Sequence, residues 1–298
     1  MQSNVKPFFL LLFFFSASLL FAAKIPAYYK VNGTSGSMSE LTSKVKNALS
    51  TGSFKVIGEY NPTGNAEMKV IAFTHSGLTN IAVQFKDRGA LGSILKAAIR
   101  KNGSSYEVSF VNPEYMFNAY FQEAISDKKS SLLAINEQVK AALKGLGTGL
   151  TAFGGELEAD KLQEYQYMWG MPEFTDPVKL NEYSSFEDGL KIIRKKLEAK
   201  TGNTVLVYEH YIPGSKVAVF GVGLLDSKEG EDHFLSIIGE GHIAAMPYEI
   251  ILQDKKATML HGRFRFALYW PELTMGTFTK IMSTPGDVED FLKALTKE

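Results

Sequence analysis

The chain has 298 residues, 45% apolar and 21% charged, with 32 Lys+Arg balancing 32 Asp+Glu. This is globular composition with enough apolar residues for a sizeable core. Its neutrality argues against a nucleic-acid partner, whose phosphates call for a basic surface. No cysteine occurs, which excludes disulfides, thiol catalysis, Cys-ligated zinc, iron–sulfur clusters and covalent haem attachment.

In chain order, Lys6 precedes an apolar run from Phe8 to Phe21 that closes on Ala22-Ala23. A positive charge, a short apolar run and a small-residue end form the plan of a secretory signal. The run is shorter than the ~20 residues that span a bilayer. Residues 1–23 are therefore read as a signal peptide, either cleaved or kept as an anchor. No later run approaches membrane length, so no membrane span is expected in the mature chain. The expected home is the periplasm or cell envelope of a bacterium.

The remainder reads twice. The first copy opens with a capping-box pattern, Ser37-Met38-Ser39-Glu40, followed by Leu41, Val45 and Leu49 at helical spacing. The second opens with Ser184-Ser185-Phe186-Glu187, then Phe186, Leu190, Ile193 and Leu197. Each helix is followed by a hairpin pattern, 54–62 with 68–73 and 204–213 with 216–225, broken by Pro and Gly. A further helix is expected over Leu91–Arg100 in one copy and Glu231–Ile238 in the other. A strand then runs into Pro113-Glu114 or Pro271-Glu272, where Pro suits a first helical position. Each copy closes on an amphipathic helix, Leu132 to Leu146 and Val288 to Leu295.

The Gly-rich stretch 146–160 reads as a boundary loop. The fold class is thus α+β: two tandem related units, each an antiparallel sheet packed against helices. The boundaries are 24–150, an inter-unit segment 151–183, and 184–298.

Within the second copy, Ala245-Met246-Pro247-Tyr248-Glu249-Ile250-Ile251-Leu252, the turn Gln253–Lys256, and a strand ending at Trp270-Pro271-Glu272 carry a pattern. It resembles domain-of-unknown-function family 302, small bacterial α+β domains. Lys69–Phe73 and Lys216–Phe220 match that family's apolar strand after a turn. The first copy departs from it, having Arg100-Lys101-Asn102-Gly103 in place of the Met-Pro element, and the second is longer over Gln253–Gly262. The resemblance implies fold and duplication only; it brings no activity and no catalytic residues.

The stretch His261–Leu273 is read as a strand, with Phe264, Phe266, Leu268 and Trp270 on the core face. His261, Arg263, Arg265, Ala267 and Tyr269 then share the other face. That face is either the wet side of a sheet or an anion-binding site, since neighbouring guanidinium groups can converge on one oxyanion. The five His (75, 210, 233, 242 and 261) show no recognised ligand spacing. Asp232, His233, Glu240 and His242 form the one local cluster with metal-ligand chemistry, and no metal or cofactor is expected. Gly221-Val222-Gly223 and Gly145–Gly149 lack the rest of a nucleotide fingerprint. Tyr165–Pro172 is rich in amphipathic side chains and suits inter-unit packing or a pocket.

Three readings follow. The first is a non-catalytic envelope module that binds an unknown small molecule or an envelope protein. The second is an enzyme with a site between the units, using His261, Arg263 and Arg265. The third is a structural partner in a larger envelope complex, which calls for an exposed apolar patch. The sequence leaves the oligomeric state open.

Overall fold

The computed structural model describes residues 23–298. The expected signal segment, Ala23 apart, lies outside the described residues.

The first unit contains β1 (Lys24–Asn32), α1 (Met38–Thr51), β2 (Lys55–Tyr60), β3 (Met68–Thr74), α2 (Ser76–Ala82), β4 (Leu95–Asn102), β5 (Ser105–Val111), α3 (Pro113–Phe121), α4 (Lys129–Lys144) and β6 (Gly149–Glu158). A short helix, α5 (Ala159–Gln163), leads to the second unit. That unit contains β7 (Val178–Glu182), α6 (Phe186–Glu198), β8 (Thr204–Ile212), β9 (Val217–Leu224), α7 (Glu231–Ile238), β10 (Tyr248–Gln253), β11 (Lys256–Met259), α8 (Gly262–Tyr269), α9 (Met275–Phe278) and α10 (Thr284–Thr296).

Both sheets are antiparallel, ordered β2-β3-β4-β5-β1-β6 and β8-β9-β10-β11-β7. Apart from β6 and α9, the units match element for element, in chain order and in strand order. The match extends to irregularities. β2 bulges between Val56 and Gly58 against β3, and β8 bulges between Leu206 and Tyr208 against β9. A bulge adds one residue to one strand and bends it, so a shared bulge fixes the alignment. Gly58 is equivalent to Tyr208, and through the sheet registers Ala72 to Gly221 and Lys96 to Glu249.

The leading helices form for the expected reasons. Ser37 and Glu40 make a full capping box, and Leu41, Val45 and Leu49 are buried. In α6 the cap is one residue later than expected: Ser185 accepts from the Asp188 N–H at 3.0 Å. Phe186, Leu190, Ile193 and Leu197 still form the buried stripe.

Four sequence expectations are overturned. Residues 95–100 are strand, not helix, because β3 and β5 pair with β4 on both sides; the helix before it is α2. The glycine-rich stretch is β6, paired with β1 along its length, so the first unit extends to Glu158. Gly154 and Gly155 take φ +78° and +83° and absorb a bulge opposite β1. A side chain at Gly154 would place its Cβ 2.7 Å from the His242 ring nitrogen and from the Tyr28 ring, which only glycine avoids. The inter-unit segment contributes β7 to the second sheet. Finally, residues 262–269 are helix α8, the partner of α3, and Pro271-Glu272 lies in the turn beyond it.

A helix placed between two packed surfaces is apolar nearly all round, so its aromatic residues can imitate a strand's alternation. The run 262–270 contains no β-branched residue, while Arg, Ala and Leu favour helix.

Candidate functional site

Helix α8 has two working faces. One lies in the seam between the units, and the other forms a wall of a surface slot.

At the seam, Glu249 of β10 sits between Lys96 of β4 and Arg265 of α8. All three are buried, with side-chain exposures of 8%, 4% and 1%. The Lys96 ammonium ion-pairs with Glu249 and donates to the carbonyls of Ala245 and Pro247 at 3.2 and 3.3 Å. Arg265 donates from Nη2 to the same carbonyls at 2.5 and 2.8 Å, and its Nε lies 3.5 Å from Glu249 Oε2. Its guanidinium carbon stands 3.8 Å from the centre of the Tyr248 ring and 4.9 Å from that of Tyr269. Two cations share one carboxylate, so carbonyl dipoles and ring faces carry the excess positive charge. Burial pushes the Lys96 ammonium down to about 8, although Glu249 beside it acts to raise it. Arg265 is held charged: burial acts against its charge, but Glu249 together with Tyr248, Tyr269 and Tyr120 outweighs that cost.

The first unit also completes α8. The last carbonyls of a helix lack partners within it. Here Tyr115 donates to Leu268 O at 3.0 Å and Tyr28 to Tyr269 O at 2.8 Å, while the Tyr120 and Tyr269 hydroxyls meet at 3.1 Å. At the other end of the seam, buried Glu231 accepts from Tyr60 Oη at 2.8 Å, Thr63 N at 3.2 Å and Leu224 N at 3.3 Å. Burial pushes its carboxyl up to about 7 in spite of these donors. His242 packs edge-on to Tyr28 at 4.8 Å, and its Nε2 is buried without a partner among the described residues. Burial, with Arg100 adding to it, lowers its imidazole to about 4.

The opposite face of α8 supplies Arg263, Ala267 and Trp270, at helical i, i+4 and i+7 spacing, to an apolar slot of about 50 Å³. Tyr167, Met171 and Phe278 help to close it. The segment 167–172, whose Tyr167, Met171 and Pro172 line the slot, also carries Trp169, 96% exposed, and the exposed Met168; Met275 is exposed across the slot. The Trp270 indole N–H is buried and has no acceptor among the described residues.

The expected polar face of His261, Arg263 and Arg265 does not exist as one surface. Residues two apart on a helix point to nearly opposite sides. His261 caps α8, its Nδ1 accepting the Arg263 N–H at 3.2 Å. Arg263 is exposed at the slot, and no acidic group lies within ion-pairing distance among the described residues. Arg265 is in the seam. Of the three, only Arg263 lines the slot, so a reacting set built on all of them has no common site. Of the residues with metal-ligand chemistry, His242 faces the aromatic seam; the described residues hold no group of three or more His, Asp or Glu placed to bind a metal. Sequence reasoning missed Lys96 and Glu249. The available signal was a charge inside each of two apolar runs, Ile94–Ile99 and Tyr248–Leu252.

No helix among the described residues is long and apolar enough to cross a membrane. No family model matches the chain, and no curated protein matches it. Among solved structures it is similar to the crystal structure of an uncharacterized conserved protein, DUF302, from Bacillus stearothermophilus. The likeness has a TM-score of 0.34 and 14% identity, and covers 39% of this chain and 94% of that one. That is the family the second unit's strands resemble.

Proposed function

We propose that the protein is an exported, non-catalytic binding module of the bacterial envelope. Its slot beside α8 takes one apolar side chain presented by an envelope protein, and Arg263 meets a carboxylate next to that side chain. The observation that carries this reading is Trp169, 96% exposed in the segment whose Tyr167, Met171 and Pro172 line an apolar slot, rimmed by a guanidinium with no acidic partner among the described residues. Exposing an indole to water is unfavourable, and Trp, Tyr, Met and Arg are enriched where proteins bind each other. A slot of about 50 Å³ is small beside the roughly 300–1,000 Å³ of pockets for free small molecules. Export is supported by the composition of residues 1–23 and by the absence of cysteine, and a mature mass beginning at Ala23 or Lys24 tests it.

The binding reading is tested by placing a photo-crosslinking side chain at position 169 in an exporting host, with Lys195 on α6 as the control position. A discrete product is expected from 169 only, lost when Arg263 is replaced by Glu. No product at 169, or one indifferent to Arg263→Glu, overturns the reading.

A further inference from the structure

We propose that the outer edge of β6 is a self-association surface, through which two copies of the chain pair antiparallel and join their six-stranded sheets. The proposal rests on how the four sheet edges are closed. An edge strand presents unpaired N–H and C=O groups and serves as a template for another strand unless it is short, charged, bulged or covered.

Three of the four edges are closed in those ways. β2 and β8 cover one another at their bulges: a Cβ on Gly58 would lie 2.0 Å from the Val207 carbonyl oxygen. β7 has five residues and carries an ion pair, Lys179 with Glu182 at 2.6 Å. β6 is the exception. It has ten residues, its ladder partners are all on β1, and among the described residues no backbone hydrogen bond reaches its outer edge. Gly154 and Gly155 are covered by His242 and Pro271 of the second unit, which leaves the edge at Gly149–Phe153 uncovered among the described residues. That run, Gly-Leu-Thr-Ala-Phe, has no charge and no proline, and Thr151 and Ala152 are exposed. β6 is also the strand that the second unit lacks.

A second copy fits this edge because a two-fold contact sets the same patch against itself. An antiparallel pair centred on Thr151 places Gly149 opposite Phe153. Glu156 and Glu158 then fall beyond the paired run, so no like charges face each other.

The test uses the full chain purified from an exporting host. Native mass spectrometry and light scattering are expected to show a dimer, and amide exchange at 149–153 is expected to slow as concentration rises. Ala152→Lys places a charge on the edge at an exposed position; it is expected to give a monomer with an unchanged circular dichroism spectrum, whereas Trp169→Ala keeps the dimer. A wild-type monomer at every concentration overturns the proposal, as does a dimer that survives Ala152→Lys or one lost with Trp169→Ala. If Ala152→Lys fails to fold, the concentration dependence of wild-type exchange at 149–153 decides the matter alone.

Discussion

The two units share nine elements, one strand order and one bulge, yet differ where they meet. Lys96 in the first unit is matched by Glu249 in the second, and these equivalent positions face each other across the seam as an ion pair. Helices α3 and α8 are likewise equivalent: aligned from their caps Asn112 and His261, Tyr120 matches Tyr269 and Met116 matches Arg265. Two identical copies would set Lys against Lys or Glu against Glu. The difference teaches that repetition supplies the scaffold, while the divergent positions make each unit complementary to the other.

The sharpest way to break that comparison is to remove the shared anion. Glu249→Leu strands two buried cations and is expected to cost ~3–5 kcal/mol in urea unfolding, the range for breaking a buried pair. The triple variant Lys96→Met, Glu249→Leu, Arg265→Met is expected to recover most of that loss, because well-packed apolar residues often replace buried charges without penalty. A triple variant as unstable as the single one would show that the network does more than balance charge.

A second test separates the seam's ends by pH. The Glu231 carboxyl is raised to about 7 from 4.5, so its contribution to stability is fully present below pH 4.5 and is lost as pH rises through 7. The expected loss is on the order of 3 kcal/mol, at about 1.4 kcal/mol per pH unit, and Glu231→Gln is expected to flatten it. His242 works in the other direction. Lowered to about 4 from 6.5, it adds stability above pH 6.5 that is lost as pH falls through 4, and His242→Phe is expected to remove that acid limb.

A smaller effect is expected from Tyr115→Phe. It leaves the Leu268 carbonyl buried without its donor, at a cost of about 1–3 kcal/mol measured by thermal or urea unfolding. The smallest is expected at the slot. Trp169→Ala should change stability by within about 0.5 kcal/mol, as for an exposed position, while removing the product given by a crosslinking side chain at the neighbouring exposed Met168. A large loss of stability there would make the slot wall a structural element and not a binding surface.

Much of this architecture is legible in the sequence. The amphipathic stripes of α1 and α6, the Pro- and Gly-broken hairpins and the repeated order of elements follow from local periodicity. Two elements hide because their surroundings override local preference. The Leu95–Arg100 run, rich in helix formers, becomes a strand because pairing on both sides decides it. Helix α8 imitates a strand because seam and slot bury its opposite faces. Of the candidate site, Arg263 and the Tyr165–Pro172 segment were visible. The seam was not, since Tyr28, Lys96, Glu231, Glu249 and Arg265 come from separate elements and leave no local motif.

The most direct test of the central claim, that opposite charges at equivalent positions tie unlike halves together, is a double-mutant cycle on Lys96→Met and Glu249→Leu read by urea unfolding. Strong coupling is expected, with the double variant less destabilised than the sum of the singles by about 1.5 kcal/mol or more. Losses that simply add would mean the two charges do not act on each other, and would contradict it.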